Sequence, residues 1–237
     1  MTGHLDETLS DIAHEITSAI AEPESKVGAA PSPGETTPLP QPYRAHPSFG
    51  NPTAVWPYRD AKGGLIGFIG RFDPPDERKQ FLPFTPVAEN GQTIWKHKSF
   101  DAPRPLFGLD RLAARRDAPV LVVEGEKAAV GLDGAGGAAA VVPSHVAITS
   151  PGGSNAAATA DWSPLSGRDV VIWPDADKAG ADYAKDVAAR ARKAGARSVQ
   201  IVDTFGLPES FDLGDPLPEG LDVEARIHAA TAPLSYI

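Results

Sequence analysis

The apolar positions of this chain change their spacing three times. Over residues 5–20, Leu5, Leu9, Ile12, Ile16 and Ile20 share one helical face while acids occupy the other. That pattern predicts a short amphipathic helix suited to docking or self-association. Residues 21–42 hold six prolines among Gly, Ser, Thr and Ala, the composition of a partly extended linker. From 43 to 110 the apolar residues come in short β-prone runs separated by turn residues. They predict a strand over 53–59, a turn at Lys62-Gly63-Gly64, a hairpin partner over 65–72, and further strands over 81–86 and 92–97. From Val120 onward the runs are unbroken, as in strands buried on both faces. Strands are predicted over 120–124, 145–149, 169–173 and 198–203. Helices are predicted over 127–133, extending toward the Ala run that follows, and over 179–194, where Gly195 is the stop. A β-α-β-β-α-β order implies an α/β fold: a mostly parallel sheet flanked by helices. The expected organisation is a helix and linker over 1–42, a small β-rich module over 43–117, and an α/β domain over 118–237. No internal repeat is visible.

Two of the unbroken runs end in acids. Val120-Leu121-Val122-Val123 passes into Glu124-Gly125-Glu126-Lys127, and Val170-Val171-Ile172-Trp173-Pro174 into Asp175-Ala176-Asp177-Lys178. Ligands bind at the carboxyl ends of strands in open parallel sheets, so these acids are expected to meet at one edge. Converging carboxylates repel unless a cation neutralises them, and hard oxygen donors favour Mg²⁺ or Mn²⁺. That chemistry is metal-assisted phosphoryl transfer. The plainer reading makes Asp175 and Asp177 the N-terminal acids of the following helix, favoured by its dipole. Glu126 is an extra acid that either assists the metal or faces water.

Composition narrows the choice. The 237 residues include no cysteine, which excludes disulfides, thiolate catalysis and Cys-based zinc sites. No run approaches membrane-spanning length and the start lacks a secretory pattern, so a cytoplasmic protein with no membrane partner is expected. The net charge of −9 is unevenly spread. Residues 43–119 carry twelve Lys/Arg and eight Asp/Glu, a net +4, against −13 for the rest. In that basic stretch Arg59, Lys62, Arg71, Lys79, Lys96, Lys98 and Arg104 alternate with Trp56, Tyr58, Phe72, Phe81, Trp95 and Phe100. Cations there can neutralise phosphates and aromatic rings can stack on unpaired bases, or the rings form a small core beneath solvated charges. Lys127 and Lys178 follow the acids directly and are either phosphate ligands or ordinary helix-surface lysines. Gly152 and Gly153, after the second parallel strand, either offer backbone N–H groups to phosphate or form a plain turn.

The motifs Glu124-Gly125, Asp175-x-Asp177, Ala179-Gly180 and Phe211-Asp212-Leu213-Gly214-Asp215 together resemble the Toprim domain of bacterial-type primases, topoisomerases and some nucleases. The likeness covers about residues 118–220. Upstream, Trp56-Pro57-Tyr58-Arg59-Asp60, Arg71-Phe72-Asp73, Lys79-Gln80-Phe81 and Pro105-Leu106-Phe107-Gly108-Leu109 resemble the segment preceding Toprim in phage and plasmid primase-like proteins. The resemblance implies that Asp175 and Asp177 hold metal and that Glu124 serves as acid/base or metal ligand. It also implies that Asp212 and Asp215 either extend this site or cap a turn.

The function so implied is metal-dependent, template-directed nucleotidyl transfer, making short primers on single-stranded DNA from nucleoside triphosphates. A Toprim nuclease and a non-catalytic DNA-binding replication adaptor are the alternatives. The four tyrosines lack the context of a topoisomerase nucleophile. Two departures from the primase pattern matter: no cysteines for a zinc-binding template reader, and no helicase motor following. Both point to a replicative helicase or a separate template-reading protein as partner.

Overall fold

The computed structural model describes Tyr43 and residues 45–232. The helix expected over 5–20 and the linker over 21–42 lie outside the described residues. The first sheet is an antiparallel meander of β1 (Ala54–Arg59), β2 (Leu65–Phe72), β3 (Gln80–Glu89) and β4 (Gln92–Lys96), ordered β1-β2-β3-β4. Its first turn closes on Asp60, whose Oδ1 accepts the backbone N–H groups of Lys62 and Gly64, both at 2.8 Å. β3 runs three residues past the expected strand, because Val87, Ala88 and Glu89 keep pairing with Ile94, Thr93 and Gln92.

Side chains alternate across a strand, and here both faces find a partner. Phe68, Phe72 and Phe84 join Tyr43 in a small aromatic core on one face. On the other, Ala54, Trp56, Tyr58 and Ile69 enter a larger core with Phe107, Leu121, Val123 and Trp173 of the second sheet. Most of the aromatic residues in the basic stretch are therefore core. The two sheets share this packing across the 117/118 boundary.

The second sheet is wholly parallel. It contains β5 (Val120–Val123), β6 (Val146–Ile148), β7 (Asp169–Trp173) and β8 (Ser198–Ile201), in the order β6-β5-β7-β8. Leu121, Val123, Val171 and Trp173 face α2 (Glu126–Val130) and α3 (Gly137–Val141). Val120, Val122, Val170 and Ile172 face α4 (Lys178–Lys193), where Tyr183, Ala184, Val187, Ala188 and Ala191 are buried. Burial on both faces explains why these strands read as unbroken apolar runs. The expected α/β class with a preceding β module is what the chain adopts.

The single helix expected from 127 is instead two. Three glycines, Gly131, Gly134 and Gly136, separate α2 from α3, and each costs a helix about 1 kcal/mol relative to alanine. The amphipathic pattern also misses α1 (Leu109–Ala114) and α5 (Val223–His228), six residues each and too short to display a period. α4 ends as Gly195 predicts: Ala196 N–H donates to Ala191 O and Gly195 N–H to Arg192 O, both at 3.0 Å, a Schellman closure. No helix among the described residues is long and apolar enough to cross a membrane.

The strand order has one further consequence. From β5 the chain moves to β6 on one side and then to β7 on the other. The crevice between the carboxyl ends of β5 and β7 is therefore the topological switch point, where open α/β sheets bind ligands.

Candidate active site

A cavity of about 500 Å³ opens at that switch point, between the two sheets. Glu124, Gly125, Glu126, Lys127, Gly152, Gly153, Asp175 and Asp212 line it from the α/β side. Ile69, Arg71, Lys79, Phe81, Pro83, Phe100 and Arg104 line it from the β module and the irregular segment that follows β4.

Glu124 and Asp175 stand at the ends of neighbouring strands, held by backbone features. The turn after Glu124 is fixed by Gly125 N–H donating to Thr149 Oγ1 at 2.9 Å, and Thr149 is fully buried at the end of β6. At Asp175 the entering helix comes so close that a Cβ on Gly180 would lie 2.3 Å from Asp175 O. Only glycine fits there, which explains the Ala179-Gly180 helix start. Asp212 arrives from a distant loop. Ala176 N–H donates to Phe211 O and Ser210 N–H to Ala176 O, both at 3.1 Å. Phe211 and Leu213 are buried on either side of Asp212, so the Phe-Asp-Leu alternation drives two anchors inward and leaves the acid at the site. Gly214 seals the loop against α2, where a Cβ would lie 2.4 Å from Lys127 O.

The electrostatics follow from this crowding. Burial, and then the carboxylates of Glu124, Asp212 and Asp177, push Asp175 up to about 8. Lys127 offsets part of that field. Its Nζ donates to Asp212 Oδ2 at 2.9 Å and also bonds Asp215 Oδ1. Burial alone would lower Lys127, but those two acids raise it on balance. Asp215 is itself held low by Lys127 against the opposing effect of burial.

Asp177 takes a different place. It is the N-cap of α4, accepting Gly180 N–H at 2.8 Å and Ser210 Oγ–H at 2.7 Å. These bonds hold its carboxyl below the usual carboxylate range. Glu126, expected either to assist the metal or to face water, is only 4% exposed and accepts the Tyr58 hydroxyl at 2.5 Å. Burial raises it above the ordinary carboxylate value. Nothing local announces this pairing, since the partners lie 68 residues apart. The signal for Thr149 is its position at the carboxyl end of a parallel strand, the same edge as Glu124 and Asp175.

Of the basic residues, Arg71, Lys79 and Arg104 line the cavity with Lys127. Arg71 is also held by Asp73 through a bidentate pair at 2.8–3.0 Å. The others are elsewhere. Lys178 is exposed on α4 and pairs with Asp182 at 2.6 Å. Lys96 pairs with Glu89 and Lys98 with Asp101, while Arg59 donates to Gly63 O at 2.9 Å and Lys62 sits in the exposed first turn.

Among the described residues no three carboxylates or histidines are already gathered as a coordination shell. The donor set still suits a hard divalent cation: Glu124, Asp175 and Asp212 supply oxygen ligands only, and their mutual repulsion is what a cation relieves.

The sequence matches no protein-family model and no curated protein. Among solved structures, similarity is found to the zinc-binding and RNA polymerase domains of the Aquifex aeolicus primase, at 21% identity and TM-score 0.45 over 89% of this chain and 45% of that one. It is also found to a DnaG catalytic core, at 24% identity and TM-score 0.48 over 75% and 53% of the two chains. A DnaG primase catalytic domain bound to ssDNA is similar at 23% identity and TM-score 0.47, again over 75% and 53%. The chain spans about half the length of these structures.

Proposed function

We propose that this cavity performs metal-dependent, primase-like nucleotidyl transfer on single-stranded DNA. The observation that carries the reading is the opposition of two walls. Acids from β5, β7 and the 211–215 loop face Arg71, Lys79 and Arg104 across one cavity at the switch point. The resemblance of the Glu124-Gly125 and Asp175-x-Asp177 motifs to Toprim supports the same assignment.

In this reading Glu124 and Asp175 hold the divalent ion, with Asp212 beside them and Asp177 and Asp215 adding to the negative field. Bound Mg²⁺ or Mn²⁺ supplies charge neutralisation and polarises a phosphoryl oxygen. The reaction joins a 3′-oxygen to the α-phosphorus of a nucleoside triphosphate and breaks the bond to the β-phosphate, releasing pyrophosphate; the hydroxyl proton passes to Glu124 or to water. Arg71, Lys79 and Arg104 bind phosphates of the triphosphate and template, and the Gly152–Gly153 backbone adds N–H donors. Lys127 keeps Asp212 and Asp215 in place and is within reach of the same phosphates. A helicase or separate template reader supplies template engagement.

The test is primer synthesis on single-stranded DNA with labelled nucleotides and Mg²⁺ or Mn²⁺, beside Asp175→Ala. Short products that vanish in the variant support the reading. Metal-dependent shortening of the template, without synthesis, replaces it with a nuclease. DNA binding with neither product replaces it with an adaptor.

A further inference from the structure

Phe81 is a large apolar side chain that lines the cavity rather than filling a core. It is 40% exposed, whereas Phe68, Phe72 and Phe84 of the same sheet are nearly wholly buried. Alternation along β3 turns Leu82 and Phe84 toward the aromatic core and turns Phe81 and Pro83 toward the cavity. Two cations are its neighbours along the sheet and the chain. Arg71 is its directly paired residue on β2, and Lys79 lies two residues before it; both line the same cavity. The ring is also braced. It stacks on Trp56 with centroids 6.3 Å apart and planes 20° apart. Trp56 is buried and anchored by Nε1 donating to Gly131 O at 2.9 Å. An aromatic surface fixed before binding loses little freedom when a planar ligand settles on it.

We propose that Phe81 is a stacking platform for a nucleobase, supplied by the nucleoside triphosphate or by the single-stranded template. The inference rests on the nucleotidyl-transfer reading of the cavity. An aromatic face flanked by phosphate-neutralising cations is the arrangement that binds unpaired nucleotides without base preference. A purely structural Phe81 would only cover Trp56, a task leucine performs as well.

The experiment measures equilibrium binding to the full chain, with Mg²⁺ present, of three probes: ATP, inorganic tripolyphosphate and an eight-residue oligothymidylate. The proteins are wild type, Phe81→Ala, Phe81→Leu and Phe81→Tyr. Loss of a base stack corresponds to a weakening of about 5- to 150-fold. That loss is expected in the Ala and Leu variants for at least one base-containing probe, with Tyr near wild type and tripolyphosphate unchanged throughout. Loss confined to ATP assigns the base to the triphosphate; loss confined to the oligonucleotide assigns it to the template. If Ala and Leu bind both probes as wild type does, Phe81 is only a cover and the platform is overturned while the nucleotidyl-transfer reading stands. If wild type binds none of the three probes, both fall together.

Discussion

Tyr58 on β1 donates its hydroxyl to the Glu126 carboxylate at 2.5 Å, joining the antiparallel sheet to the first turn of α2 through a bond with both ends buried. Glu126 lies two residues beyond Glu124, so this contact also steadies the turn that presents the proposed metal ligand. Removing the donor leaves a buried acceptor unsatisfied, at a cost of about 1–3 kcal/mol. Tyr58→Phe is therefore expected to lower the unfolding free energy by that amount, seen as a lower denaturation midpoint, without loss of secondary structure. Denaturant unfolding followed by circular dichroism checks it, and an unchanged midpoint would show that the bond contributes nothing.

Asp175 makes a second, opposite prediction. Its charge is opposed by burial and by Glu124, Asp212 and Asp177, so Asp175→Asn should stabilise the protein in metal-free buffer at neutral pH. Added Mg²⁺ or Mn²⁺ should stabilise wild type by mass action, by about 2.7 kcal/mol at a hundredfold excess over Kd. The variant should gain much less. Thermal melts with and without metal decide this independently of any activity, and equal gains in the two proteins would remove Asp175 from the ligand set.

Asp177 can be separated into its two possible uses. Asn caps helices about as well as Asp, whereas Ala costs about 0.5–2 kcal/mol. Asp177→Asn should keep the melting temperature, and Asp177→Ala should lower it. If the carboxylate charge serves the site, both variants should lose nucleotidyl transfer. Full activity in the Asn variant would mean that capping is its whole contribution.

Gly214 tests how tightly the 211–215 loop must sit. A methyl at this position meets Lys127 O at 2.4 Å, so Gly214→Ala must move backbone on one side. Overpacking of this kind costs about 1–3 kcal/mol. The variant should melt earlier and lose activity more than an exposed control such as Gly220→Ala, where a Cβ meets nothing within 4 Å but φ is positive. Equal melting temperatures and activities in the two variants would refute the close fit.

Far from the site, Asp169 is held down at about 2 by the Arg197 guanidinium and then by Ser198, whose Oγ donates at 2.7 Å. An unfolded aspartate titrates near ~3.9. Because the folded value is depressed, the contribution is present above about pH 4 and is lost as pH falls from there toward 2. The pair is solvent-exposed, so its effect is a small one, screened by salt. Arg197→Ala should therefore lower stability slightly above about pH 4 and change it less toward pH 2, flattening the acid limb, as urea midpoints between pH 2 and 7 can show.

The sequence by itself determined the class of fold and the sheet edge at which these acids emerge. Continuous apolar runs at 120–123 and 170–173 encode strands covered on both faces, and that pattern depends only on local order. Acids directly after such runs must emerge at the carboxyl edge, so Glu124 and Asp175 were legible before any folding. What each acid does there was decided by tertiary structure. Glu126 is buried because Tyr58 comes to it from another sheet, Asp212 reaches the cavity because Phe211 and Leu213 anchor its loop, and Asp177 is occupied by Gly180 N–H and Ser210. The same division separates Lys127, drawn to Asp212 and Asp215, from Lys178, left exposed beside Asp182. A carboxylate's role depends on its desolvation and on the charges within a few ångströms, and those neighbours come from chain segments tens of residues away.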